Sequence, residues 1–217
     1  MAQVVEAFRF LASRVSTLER RLAFQDRPVD GAAYLVPARE LGDWIAPMAG
    51  HIVATTPGGD VLHGDCGEGD LLHALMERGV PAVGIEPRGS VALAALERGC
   101  AVTICEVTEG MESRPADSLG GVVLSGAVDR LPLHALLPLL AQARRALRLS
   151  APIVVVVTDP DDEVAWVTPA LDLVEARPMH EQTWAMLLDR AGFVDIAPLR
   201  REGAGDGRFA LSASTPA

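Results

Sequence analysis

The stretch VLHGDCGEGDLLHALMERG, residues 61–79, runs from a short apolar segment through a G-x-G loop into a helical pattern. A strand that turns into a helix across glycines is the opening unit of a parallel α/β sheet, and ligands of such sheets sit beyond the C-terminal ends of the strands. Gly67 and Gly69 would let the backbone approach a ligand closely. A helix beginning near Asp70 would aim its positive end at an anionic group. About 20 residues further on, VGIEP places Glu86 at the end of a second strand, where a carboxylate can accept both hydroxyls of a ribose. The plain alternative for Glu86 is a surface acid at a strand end.

Outward from this unit, apolar runs alternate with helical stretches: Ala82 to Glu86, Val91 to Arg98, Ala101 to Cys105, Val122 to Ser125, Leu133 to Leu147 and Ile153 to Thr158. Such alternation predicts a mostly parallel sheet covered on both faces, with IVVVV as a central strand. After a helix over Glu181 to Ala191, FVDIAPL and RFALSAS read as two closing strands joined by a turn-rich segment, an antiparallel edge. Upstream, Val4, Phe8, Leu11, Val15, Leu18 and Leu22 form one helical stripe. It suits either a short coiled coil that pairs two chains or a helix docked on its own domain. Pro28 and Gly31 interrupt it, and a second helix is expected from Ala38 to Ile52, before the turn Pro57-Gly58-Gly59. The division that follows is an amphipathic helix at 1–28, a helical lead-in at 29–58 and an α/β domain at 59–217.

Composition narrows the function. The 217 residues are 49% hydrophobic, which supplies a real core, and no apolar run approaches the length of a membrane span. A cytoplasmic protein is expected. Cys66, Cys100 and Cys105 have neither disulfide-framework nor zinc-ligand spacing. A net charge of −10 without a basic stripe argues against nucleic acid and favours a small-molecule or carbohydrate partner. A dinucleotide loop would carry a small residue three positions after Gly69, but Leu72 stands there, which disfavours a nicotinamide oxidoreductase.

From Gly59 to about Pro198 the chain resembles the class I S-adenosylmethionine-dependent methyltransferases, particularly bacterial members acting on sugars, polysaccharides or natural products. VLHGDCGEG stands for the family's VLDLGCGxG, VGIEP for its acidic second strand, and ADSLGGVVLSGAVDRLP for its fourth strand. ALRLSAPIVVVV and MHEQTWAMLLDRAGFVDI match the fifth strand and the late helix with its AGF turn. The resemblance implies a Rossmann-like, doubly wound, seven-stranded sheet with an antiparallel last strand. It also implies S-adenosylmethionine as cofactor: Gly67 and Gly69 at its amino-acid end, Glu86 on the ribose and Glu106 beside the adenine.

Three positions depart from that pattern, two of them in the first strand and its loop and the third Arg130. His63 replaces the acid that ends the first strand, and Asp65 replaces the first loop glycine. Asp tolerates left-handed backbone angles, so the turn can survive. At about 4 Å, a carboxylate facing the cofactor's own carboxylate would cost roughly 4 kcal/mol, and facing its ammonium it would gain as much. Asp65 is therefore a candidate replacement for the missing acid, and His63 a second residue lining the cofactor. Candidate bases for an alcohol acceptor are Asp129, followed by Arg130 where the family often has histidine, and His180 before the late helix. His134 reads as surface. TDPDDE, with Asp159, Asp161, Asp162 and Glu163, reads as a solvated acidic loop rather than a Mg²⁺ site. Trp166 and Trp184 suit either an acceptor pocket or core packing. The function expected is methyl transfer to oxygen of a sugar or small natural product. The rival is an inactive methyltransferase-like protein acting as a dimeric scaffold or regulatory partner.

Overall fold

The computed structural model describes residues 40–129, 131–161, 178–201 and 206–217. The stripe from Val4 to Leu22, Arg130, Asp162, Glu163 and Trp166 lie outside the described residues. Ala32–Ala217 forms one compact unit.

A 3₁₀ turn, Gly42–Trp44, leads into α1 (Ile45–Thr55). Then follow β1 (Asp60–Gly64), α2 (Asp70–Met76), β2 (Ala82–Ile85), α3 (Gly89–Glu97), β3 (Ala101–Thr103), α4 (Val107–Glu112), β4 (Leu119–Ser125), α5 (Leu133–Ala146), β5 (Pro152–Thr158), α6 (Glu181–Arg190), β6 (Val194–Leu199) and β7 (Arg208–Ser214). The strand order is β3-β2-β1-β4-β5-β7-β6. Strands β1 to β5 pair in parallel, and β7 runs antiparallel between β5 and β6. This is the doubly wound, seven-stranded sheet expected. The C-terminal ends of β1, β2, β4 and β5 share one edge of the sheet.

The pleat sorts side chains between two cores. On β5, Ile153, Val155 and Val157 join the face covered by α4, α5 and α6, while Val154 and Val156 join the face covered by α1, α2 and α3. Full burial on both faces is why IVVVV carries no polar residue. His63 belongs by its parity to the α1–α3 face, together with Val61.

The expected helix from Ala38 to Ile52 is corrected at both ends. Residues 40 and 41 are not helical, because Gly42 has φ +52° and a right-handed helix cannot run through it; at the other end α1 continues to Thr55. Helix α4 was not expected at all. Among the described residues no helix is long and apolar enough to cross a membrane.

Candidate cofactor site at the strand ends

The loop after β1 is built from left-handed residues. Asp65 has φ +57°, Gly67 +59° and Gly69 +84°, so the turn survives the Asp substitution by using the backbone region that Asp tolerates. The two loop glycines do different jobs. A Cβ on Gly67 would meet nothing within 4 Å, whereas one on Gly69 would lie 2.8 Å from Cys100 Sγ and 3.2 Å from Ala95 Cβ. Gly67 thus keeps open space beside the loop, and Gly69 lets the loop pack against α3. The loop is tied to the neighbouring strand by Cys66 N–H donating to Ile85 O at 3.0 Å.

Leu72 occupies the place where dinucleotide-binding loops use a small residue. It is fully buried, and the room it needs comes from Gly84 on β2, where a Cβ would lie 2.8 Å from Leu72 Cδ1 and 2.5 Å from Cys66 Sγ. Close packing of α2 on the sheet is therefore kept with the small residue moved from helix to strand. Burial pushes the Cys66 thiol up, and the Glu86 and Asp65 charges push it further, so Cys66 is an inert core residue.

His63 is fully buried, and its Nε2 lies 2.7 Å from Ser125 Oγ at the end of β4. Its Nδ1 is buried with no hydrogen-bond partner among the described residues. Burial lowers the imidazole pKa to about 3, so His63 is neutral at physiological pH. A cavity of about 130 Å³ opens beside it, lined among others by Leu41, His63, Asp65, Gly67 and Glu68. That is room for a group of several heavy atoms.

Glu86, expected at the end of β2, directly follows it and is fully buried. It is not a surface acid. Its Oε2 accepts from Gly67 N–H at 2.9 Å and from Arg88 Nη2 at 2.9 Å, while Oε1 accepts from Arg88 N–H at 2.9 Å and from Arg88 Nε at 2.6 Å. Burial pulls the Arg88 pKa down, but the hydrogen bonds and charge of Glu86 leave it raised overall. Arg88 was missed in the sequence. The available signal was a basic residue two positions after a strand-end acid.

Glu106 follows β3 and stands at the N-cap of α4, half-buried, on the same edge as Glu86. Asp129 lies in the 3₁₀ turn Ala127–Asp129 after β4. Its Oδ1 and Oδ2 accept from Thr158 N–H at 3.1 and 3.2 Å, and Oδ2 also accepts from Thr158 Oγ1 at 2.8 Å. That contact joins the β4 turn to the end of β5. His180 is the N-cap residue of α6, with Nδ1 3.7 Å from Asp161 Oδ2. The structure thus gathers His63, Asp65, Gly67 and Glu86 around one loop, and sets Asp129 and His180 over the ends of β4 and β5. Trp184 is buried in the core beneath α6, which settles it as packing, and His134 is exposed. In the acidic loop Asp159 Oδ1 accepts from Asp161 N–H at 2.9 Å, and no group of residues suited to a metal occurs among the described residues.

A family model described as methionine biosynthesis protein MetW matches residues 50–152, a little under half of the chain. No curated protein matches the sequence. Solved structures do. A SAM-dependent methyltransferase from Archaeoglobus fulgidus is 19% identical, with a TM-score of 0.67 over 79% of this chain and 93% of that one. One from Thermotoga maritima is 16% identical, with a TM-score of 0.60 over 79% and 89%. Human N-acetylserotonin methyltransferase in complex with SAM is 15% identical, with a TM-score of 0.59 over 85% and 61%. The seven-stranded sheet of this chain, with β7 inserted antiparallel, is the fold of the SAM-dependent methyltransferases.

Proposed function

We propose that the protein is an S-adenosylmethionine-dependent methyltransferase acting on a hydroxyl of a sugar or small natural product. The observation that carries the cofactor is the buried Glu86 carboxylate, 2.9 Å from the amide of Gly67, whose side-chain position is open space. A strand-end acid beside a bare loop glycine is what a ribose and the chain attached to it require. The buried Nδ1 of His63, without a partner among the described residues and beside the same cavity, is a second polar group suited to a ligand.

Glu86 would hold the ribose, Glu106 the adenine end, and Gly67 with Gly69 the loop against the amino-acid end. Asp65, in the cavity wall, would take the ammonium in place of the acid missing at His63. This assignment predicts that Asp65→Gly binds the cofactor more weakly; tighter binding would overturn it. His63 is neutral and adds no charge to that wall. When bound, the cofactor supplies a methyl group on a sulfonium, which needs alignment and exclusion of water more than covalent help.

For an alcohol acceptor the chain must also take a proton. His180 is exposed at the strand-end edge, with Asp161 Oδ2 3.7 Å from its Nδ1, and is the first candidate to take that proton. Asp129 is the second candidate; held by Thr158, it fixes the floor between β4 and β5. The net charge of −10 favours a neutral or cationic acceptor over a polyanion. Calorimetric titration with S-adenosylmethionine and S-adenosylhomocysteine tests the reading. Micromolar binding supports it and justifies an acceptor screen, whereas a folded protein that gives no heat up to millimolar ligand sinks it.

A further inference from the structure

Resting on that cofactor reading, we propose that Arg88 is a latch on Glu86 that a vicinal diol must displace, and that this exchange sets which ligands enter. An ionised carboxylate offers about four acceptor positions. On Glu86 all four are taken, by Gly67 N–H, Arg88 N–H, Arg88 Nε and Arg88 Nη2. The two amides belong to the loop and to the start of α3, so they stay with the backbone. The two guanidinium bonds belong to a side chain, one on each carboxylate oxygen, and these can be exchanged.

A ribose diol brings two O–H donors, the same number that the Arg88 guanidinium places on Glu86. A diol can therefore replace the guanidinium bond for bond. A ligand with a single hydroxyl leaves one acceptor position of a fully buried carboxylate bare, which is strongly unfavourable. The guanidinium solves the same problem without a ligand: it keeps the buried Glu86 charge paired. Two features make the latch displaceable. Its Nη1 is buried with no acceptor among the described residues, so the closed arrangement leaves a donor unsatisfied. And the Arg88 side chain retains 11% exposure, which leaves it a route to solvent, whereas Glu86 has none.

Titration of the wild type and Arg88→Ala with S-adenosylhomocysteine decides the matter. If the latch is closed in about nine molecules of ten, its removal tightens binding about tenfold. Equal or weaker binding by the variant, with a wild type that binds, overturns the latch and leaves the cofactor reading intact. No binding by either protein overturns both. Because Arg88→Ala leaves Glu86 without its cation, the wild type is also followed by ¹⁵N NMR. Saturation with S-adenosylhomocysteine moves the Arg88 Nε–H signal out of its carboxylate-bonded position; persistence of that signal in the saturated protein overturns the latch.

Discussion

Two ends of the same strand edge are built differently. At β1 and β2 the polar groups are interior: Glu86 and His63 are fully buried, with partners at 2.6–2.9 Å. Beyond the end of β5, His180 and Asp161 border solvent: their side chains are 59% and 81% exposed and stand 3.7 Å apart. A buried acceptor such as Glu86 must stay paired, so it suits a ligand that can match the partners it displaces. Exposed polar groups cost little to rearrange and suit a variable acceptor. On the proposed function, the first end serves the cofactor and the second the acceptor.

Substitutions at each end test this contrast. The largest stability effect belongs to Glu86→Ala, which leaves the mostly buried Arg88 guanidinium without its carboxylate; a loss of about 3–5 kcal/mol is expected from urea unfolding. A loss under about 1 kcal/mol would show that this end is no more interior than the other. Gly64→Ala comes next. Its Cβ would lie 2.5 Å from Val107 Cγ2 and 3.1 Å from Leu124 Cδ2, and overpacking of this kind costs about 1–3 kcal/mol.

His63 makes the β1–β2 end sensitive to acid. Its pKa falls from 6.5 to about 3 on burial, so the folded form favours the neutral ring. Its contribution is complete above the unfolded pKa and is lost as pH falls through the window from 6.5 towards 3. Near pH 5 the loss amounts to about 2 kcal/mol, and His63→Asn should remove that part of the pH dependence of unfolding. Asp129→Ala deletes the acceptor of two Thr158 donors and should cost about 1–2 kcal/mol, measured by thermal unfolding. His180→Ala should change stability by no more than about 0.5 kcal/mol. On the proposed function its effect belongs in turnover: loss of the proposed base is expected to lower the rate about 10²–10⁴-fold while cofactor affinity is kept. An unchanged rate would remove His180 from the proton path.

The fold was legible because its signals are local and periodic. VLHGDCGEG, VGIEP and IVVVV each report burial on one or both faces of a strand, and β1, β2 and β5 fall where those patterns stand. The miss at α4 has the same cause in reverse, since six residues are too few to display a helical stripe. In the site, the positions of Gly67, Gly69 and Glu86 could be read from spacing, but their jobs could not. Gly67 and Gly69 look alike in sequence, and only the neighbours of each show that one keeps open space and the other packs on Cys100.

The order of the strands and of every described helix but α4, the edge of the sheet where the loop lies and the acid at its second strand end were readable along the chain, because periodicity and turn chemistry act over a few neighbouring residues. Tertiary structure alone decided what those groups touch. Ser125 reaches His63 from 62 positions away, and Thr158 reaches Asp129 from 29. Gly84 makes the room that Leu72 takes. Even Arg88, two residues from Glu86, becomes its partner only because the turn after β2 brings its guanidinium back onto a fully buried carboxylate. Pairings of this kind follow from packing and desolvation, which depend on the whole fold and leave no pattern along the chain.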